Sequence, residues 1–269
     1  MPKWIKEAKE PIPSQTIVEA MNLYHEYLRT QYGFEAPVSK ISIESSDTKP
    51  DSRAMQVHID LNYKETDFHM RSVQSSDAED VFKYLTSQPV VCRQYATKKT
   101  SDLEATKARV QVLVDRYDPE TAASKSGLFM HGGFTVTGEN EEFLGLINTG
   151  SSGTPGLTEI GVRFRADAWS HAPENLEKEF NIPSDERLKT TYSGAGTAAV
   201  CALWDYTRET TKRGYKLQEH DVIGMRAVCM IDNPGGWKAQ VKAGMIPRDV
   251  DAVESYGPEI RFQTQKLIL

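Results

Sequence analysis

Hydrophobic positions change period several times along the chain. From Ser14, the residues Ile17, Met21, Tyr24 and Leu28 recur at helical spacing, and Gly33 is a natural stop. KISIES (40–45) and AMQVHIDLNY (54–63) then alternate apolar and polar around a Ser/Asp/Lys/Pro-rich turn. Residues 1–65 therefore read as an extension: a polar arm, a helix and a two-stranded ribbon.

A new pattern starts at Thr66. DFHMRSVQ alternates as a strand, and SSDAEDVFKYLTSQ follows with Ser75 or Ser76 as N-cap and Ala78, Val81, Phe82 and Leu85 on one apolar stripe. Pro89 blocks its continuation. Within 101–119, ARVQVLV fits a strand as well as a helix; the start Ser101-Asp102-Leu103-Glu104 and the spacing of Leu103, Val110, Leu113 and Val114 favour a helix. LFMHGGFTVT (128–137), EFLGLINTG (142–150) and LTEIGVRFR (157–165) predict three strands. A charged stretch (171–191), a helix over 196–209, a buried strand (222–232), a short helix (235–245) and a last strand (259–269) complete the series. Interleaved strands and helices point to an α/β or α+β sandwich.

Composition narrows the function classes. The chain has 269 residues, 39% of them hydrophobic and 26% charged, as expected of a globular protein with an ample core. A net charge of −6 provides no basic field, so no nucleic-acid partner is expected. The three cysteines, Cys92, Cys201 and Cys229, form no CxxC pair, which predicts a reducing compartment without disulfides or zinc. No apolar run approaches the length of a membrane span, and the start carries no apolar signal region. The expectation is a cytoplasmic protein with the nucleus left open. His58 and Asp60 alternate onto one strand face, yet no third ligand can be assigned and no metal is expected.

Residues 191–210, TYSGAGTAAVCALWDYTRET, support two incompatible readings. ALWDY looks like the ALYDY signature of a Src-homology 3 adaptor domain, here over 200–255. That barrel needs extended chain where Ala198 to Leu203 form an Ala-rich helical run. GSSGTP (150–155) looks like the nucleophile turn of a chymotrypsin-like protease, but the helices predicted upstream leave no room for its barrel, and a hairpin turn is expected. In SGAGTA, by contrast, Ser193, Gly194, Ala195, Gly196, Thr197 and Ala198 are all small and open a helix. A helix N-terminus carries unsatisfied N–H donors and partial positive charge, and small side chains let a phosphate approach it.

Taken in order, FHMRSVQSSDAEDVFKYLTSQPVV, EFLGLINTG, TEIGVRF, SGAGTA and CMIDNPGGWKAQVKAGM resemble the GNAT superfamily of acetyl-CoA-dependent N-acetyltransferases. The likeness is greatest to its ribosomal-protein-alanine acetyltransferase branch and covers about 66–265. It implies a GNAT-like domain over 66–269: a twisted mixed sheet with helices on both faces, splayed between the strands at 157–165 and 222–232. It also implies that backbone near Val162 and Phe164 pairs with pantetheine, that the glycine turn holds the pyrophosphate of acetyl-CoA, and that Asn233 contacts the pantetheine arm. Glu159 matches a position where family members carry a general base, with Asp232 as the alternative. The acceptor would be a small-molecule amine or a peptide N-terminus.

Several positions depart from the family. Ser193 replaces an Arg or Gln, and the positions of the family's Ser and Tyr acids hold Gly236 and Gln240. A catalytically silent acyl-CoA-binding protein therefore stands beside the enzyme reading. The charged segment 171–191 is an insertion, and with the ribbon at 38–63 it reads as acceptor-side architecture, surface elaboration or a homodimer contact.

Overall fold

The computed structural model describes residues 38–45, 54–94, 100–121, 124–169, 180, 185–230, 233–249 and 261–267. The helix expected from Ser14, the insert acids Glu174, Glu177 and Glu179, and Asp232 lie outside them. The strands are β1 (Val38–Ser45), β2 (Met55–Tyr63), β3 (Thr66–Ser72), β4 (Gly133–Gly138), β5 (Phe143–Ser151), β6 (Leu157–Phe164), β7 (Lys216–Leu217), β8 (His220–Asp221), β9 (Gly224–Met230), β10 (Ile246–Asp249) and β11 (Arg261–Leu267). Nine of them build one sheet in the order β1-β2-β3-β4-β5-β6-β9-β11-β10, and β7 and β8 form a separate pair. Every neighbouring pair in the large sheet is antiparallel except β6 and β9.

The ribbon alternation is borne out. β2 buries Val57, Ile59, Leu61 and Tyr63 and exposes the residues between them. The 65/66 boundary falls in the tight turn Lys64–Glu65 between β2 and β3, whose strands pair from Tyr63↔Thr66 to His58↔Arg71. On the outer face Asp60 accepts from or pairs with His69 Nδ1 at 2.9 Å, across that register.

The helices are α1 (Ala78–Val81), α2 (Pro89–Gln94), α3 (Leu103–Asp115), α4 (Glu186–Thr191), α5 (Ala195–Lys212) and α6 (Pro234–Lys242). One face of the sheet is covered by α5, whose Ala198, Ala199, Ala202 and Leu203 have no exposure, so small side chains let the helix settle close against the strands. Tyr206 on α5 stacks edge-on against Phe134 at 4.9 Å and donates to the Met130 carbonyl at 2.8 Å. The other face carries α1 and α3 over Val73, Phe143 and Leu146.

Two expectations need correction. Neither Ser75 nor Ser76 caps the helix before α1: Gln74 holds that place, and its N–H donates to the Asp77 carboxylate at 2.8 Å. The strand expected from 128 begins only at Gly133, because Met130 sits at φ 66° and 124–128 coil helically. The helix expected in place of the adaptor barrel is present, since residues 195–212 are one helix. The helix reading of 101–119 is correct, with Asp102 accepting from the Ala105 N–H at 2.7 Å as N-cap.

Asp77 ties the start of the helical segment that runs into α1 to β3 and β4. It takes both terminal nitrogens of Arg71 (2.8 and 2.6 Å), the Thr135 hydroxyl (2.7 Å) and the Gln74 N–H. Burial opposes its charge, but the Arg71 pair and these donors win and hold its carboxyl below the ordinary value of 3.8. A folded-state value below the unfolded one adds stability above that range, lost as pH falls through it. Removing one partner of a buried pair costs about 3–5 kcal/mol; Arg71 keeps 29% exposure, so Asp77→Asn should cost about 3 kcal/mol in denaturant titration at neutral pH, and less toward pH 3.

Candidate functional site

The β6–β9 pair is short. Leu157 to Ile160 pair with Gly224 to Ala227, and beyond that point the strands part while β6 continues to Phe164 and β9 to Met230. On its other side β6 stays paired with β5 as far as Phe164↔Gly145. The Arg165 N–H donates to the Leu144 carbonyl on that side at 2.9 Å. Antiparallel bonding alternates, so Arg163 and Gly161 also face β5, and the peptide groups of Val162 and Phe164 face the gap. The Phe164 carbonyl there accepts from the Trp169 indole N–H at 3.1 Å.

The glycine turn stands at this gap. Gly194 is the N-cap of α5 in the left-handed region, φ 95° and ψ −1°, and supplies no side-chain cap. The Ala195 N–H donates to the Tyr192 carbonyl and the Ala198 N–H to that of Gly194. Among the described residues, the N–H groups of Gly196 and Thr197 have no acceptor. A Cβ placed on Gly196 would lie 3.7 Å from Ala239 on α6 and 3.8 Å from the Phe164 ring, in ordinary contact. Gly196 thus marks where β6, α5 and α6 converge. Ser193 is exposed and Thr197 buried at this end of the helix.

Two tyrosines that the sequence did not single out fix the turn. A Cβ on Gly194 would lie 2.4 Å from the Tyr63 ring of β2, so the ribbon packs directly beneath the turn. Tyr192 lies over Gly138 and donates to Glu142 at 2.6 Å; burial first, and then that carboxylate, pushes its hydroxyl up to about 12. Glu142 also pairs with Arg187 of α4.

Asn233 caps α6. Its Oδ1 accepts from the Gly236 N–H at 3.0 Å, with Pro234 in the first turn. A Cβ at Gly236 would lie 2.7 Å from Cys229 Sγ and 2.9 Å from Asn233 Nδ2, so a side chain there requires those two side chains to shift. Gln240 is buried.

Glu159 lies immediately before the gap, in register with Gly150 and Arg226. Arg226 holds its Oε2 through Nε at 2.9 Å and Nη2 at 2.8 Å, and also reaches the Ser152 carbonyl. In the adjacent row Asn148 stands opposite Gly161, and its Oδ1 is buried without a hydrogen-bond partner among the described residues. Both side-chain polar atoms of Gln94 on α2 are buried without one as well. Polar residues inside apolar runs, EFLGLINTG and VVCRQ, were the available signal for these two. GSSGTP is the β5–β6 hairpin turn, with Gly153 at φ 77°.

A mixed sheet split between two parallel strands, with a glycine-started helix at the split and helices on both faces, defines the GNAT-like fold that the sequence resemblance implies. No family model and no curated protein matches the sequence. Among solved structures, the chain is similar to a GNAT-family acetyltransferase from Bacillus anthracis (19% identity, TM-score 0.47, 75% of this chain and 94% of that one). It is also similar to a putative ribosomal-protein-serine acetyltransferase from Vibrio cholerae (10%, 0.46, 75% and 94%). A phosphinothricin acetyltransferase from Sinorhizobium meliloti matches at 10% identity and TM-score 0.46, over 74% of this chain and 87% of that one. Among the described residues, no helix is long and apolar enough to cross a membrane.

The two turn glycines should respond differently to alanine. Gly194→Ala meets both the left-handed penalty and the Tyr63 ring, and should cost about 2–5 kcal/mol. Gly196→Ala adds a methyl in ordinary contact and should leave the denaturation midpoint nearly unchanged.

Proposed function

We propose that the protein binds acetyl-CoA in the β6–β9 gap and transfers the acetyl group to a primary amine by direct attack. The observation that carries this reading is one juxtaposition: peptide groups of Val162 and Phe164 turned into a split sheet, beside two acceptor-free amides at Gly196 and Thr197. The first suits an extended amide-bearing chain lying as an extra strand. The second suits a pyrophosphate, with Ser193, Gly194, Ala195 and Ala198 keeping the approach low. Asn233, whose Oδ1 already caps α6, has its Nδ2 left to offer the pantetheine arm.

The acetyl thioester supplies an activated carbonyl carbon. The amine nitrogen bonds to that carbon as the carbon–sulfur bond breaks, and the nitrogen must lose a proton. Glu159 is positioned at the apex of the gap to accept it through water, with Arg226 orienting its carboxylate. The buried Asn148 Oδ1 has an unused acceptor one row on, suited to an amine N–H. Gly236 and Gln240 offer no acid, so the departing thiolate takes its proton from water. That same lack favours a second reading, a silent acyl-CoA-binding protein, for which the cofactor site is retained without turnover. The acceptor is a small-molecule amine or a peptide N-terminus, and the protein works in the cytoplasm.

Calorimetry with acetyl-CoA comes first. Absence of binding at millimolar cofactor removes both readings, and thiol release over a panel of amines and peptide N-termini separates them. Gly196→Glu places a carboxylate where the pyrophosphate approaches; losing two charge-assisted contacts should weaken binding about a hundredfold or more, with circular dichroism unchanged. Glu159→Gln should lower kcat about 10²–10⁴-fold, leaving acetyl-CoA affinity intact. A Glu159→Gln enzyme with wild-type kcat would exclude Glu159 as the base.

A further inference from the structure

The cofactor turn contains no cation, yet a coenzyme A-type ligand carries a pyrophosphate and a further phosphate on its ribose. Ser193, Ala195 and Thr197 contribute no charge, and the helix N-terminus supplies only a partial one. Basic groups must therefore come from outside the turn, and the structure brings three to its rim. Lys64, in the β2–β3 turn, sets its ammonium 5.5 Å from the Tyr63 ring centroid, and that same ring packs against Gly194. Ala239 of α6 faces Gly196, and Lys238 and Lys242 flank it along the helix, one turn apart on the same side.

We propose that Lys64, Lys238 and Lys242 form a phosphate site at the edge of the glycine turn that takes the ribose 3′-phosphate of coenzyme A. The inference rests on the acyl-CoA reading of the gap. The electrostatics of Lys242 agree with this placement. Burial, followed by the like charges of Lys64 and Lys238, pulls Lys242 below the ordinary lysine value. Amines held close enough to disfavour one another's charge are what a doubly charged phosphate relieves on binding. The α5 amides then keep the pyrophosphate, and the three ammonium groups meet the phosphate they do not reach. Two chain segments far apart in sequence, the ribbon and α6, share the task, which gives the extension before residue 66 a part in cofactor selection.

The test compares coenzyme A with 3′-dephospho-coenzyme A by calorimetry, on wild type and on the Lys64→Gln/Lys238→Gln/Lys242→Gln variant, with circular dichroism as the folding control. Wild type should prefer coenzyme A by about tenfold or more, and the preference should weaken with added salt. The variant should bind both ligands alike, with dephospho-coenzyme A affinity close to wild type. Equal wild-type affinities for the two ligands, or a variant that keeps the preference, would overturn the lysine site while leaving the acyl-CoA reading standing. Wild type that binds neither ligand would remove that reading, and the lysine site with it. Should the triple variant fail to fold, Lys242→Gln alone must reduce the preference.

Discussion

Two parallel strands in the middle of a sheet that stop pairing after four residues set the terms for everything around them. An interior strand edge without a neighbour leaves amide and carbonyl groups that must find partners elsewhere. The protein keeps β6 in place through that stretch by full pairing with β5 on its other side. It closes part of the open edge with its own side chain, Trp169 on the Phe164 carbonyl. What remains open faces the start of α5, so the one interruption in the sheet and the two acceptor-free helix amides occur together. Neither would define a site without the other.

The turn beside the split is packed from two sides. Gly194 occupies a left-handed conformation that only glycine adopts cheaply, and its missing side chain is replaced by the Tyr63 ring. Tyr192, two residues earlier, is locked by Gly138 and Glu142. The turn is thus pinned from β2 on one side and from the β4–β5 hairpin on the other. The ribbon at 38–63 is part of the same sheet and supplies one of those pins.

Much of this was legible in the sequence because it depends on local rules. The Ala-rich run from Ala198 and the small residues of the turn specify a helix and its start, and they decide against an adaptor barrel whose signature motif is equally present. The alternation of β2 and the hairpin around 138–142 likewise follow from period and turn residues. What was not legible depends on partners distant in sequence. Nothing near Ser75 reveals that Asp77 will also take the Thr135 hydroxyl of β4, 58 residues away in sequence. Nothing in 128–132 reveals that a left-handed Met130 delays β4. The pins at Tyr63 and Tyr192 look like ordinary core tyrosines until the glycines they cover are known, and the lysines around Lys242 look like solvated charges.

The same logic explains the departure at residue 236. A hydroxyl there would have to displace Cys229 Sγ or the Asn233 amide, and Asn233 is the cap that starts α6. A side chain there would therefore press on the cap of the helix whose Ala239 lies against the turn. Here the position is committed to packing against Cys229 and Asn233. On the other face, the unused Asn148 acceptor beside Gly161 and the Glu159–Arg226 pair are the polar groups nearest the apex of the split.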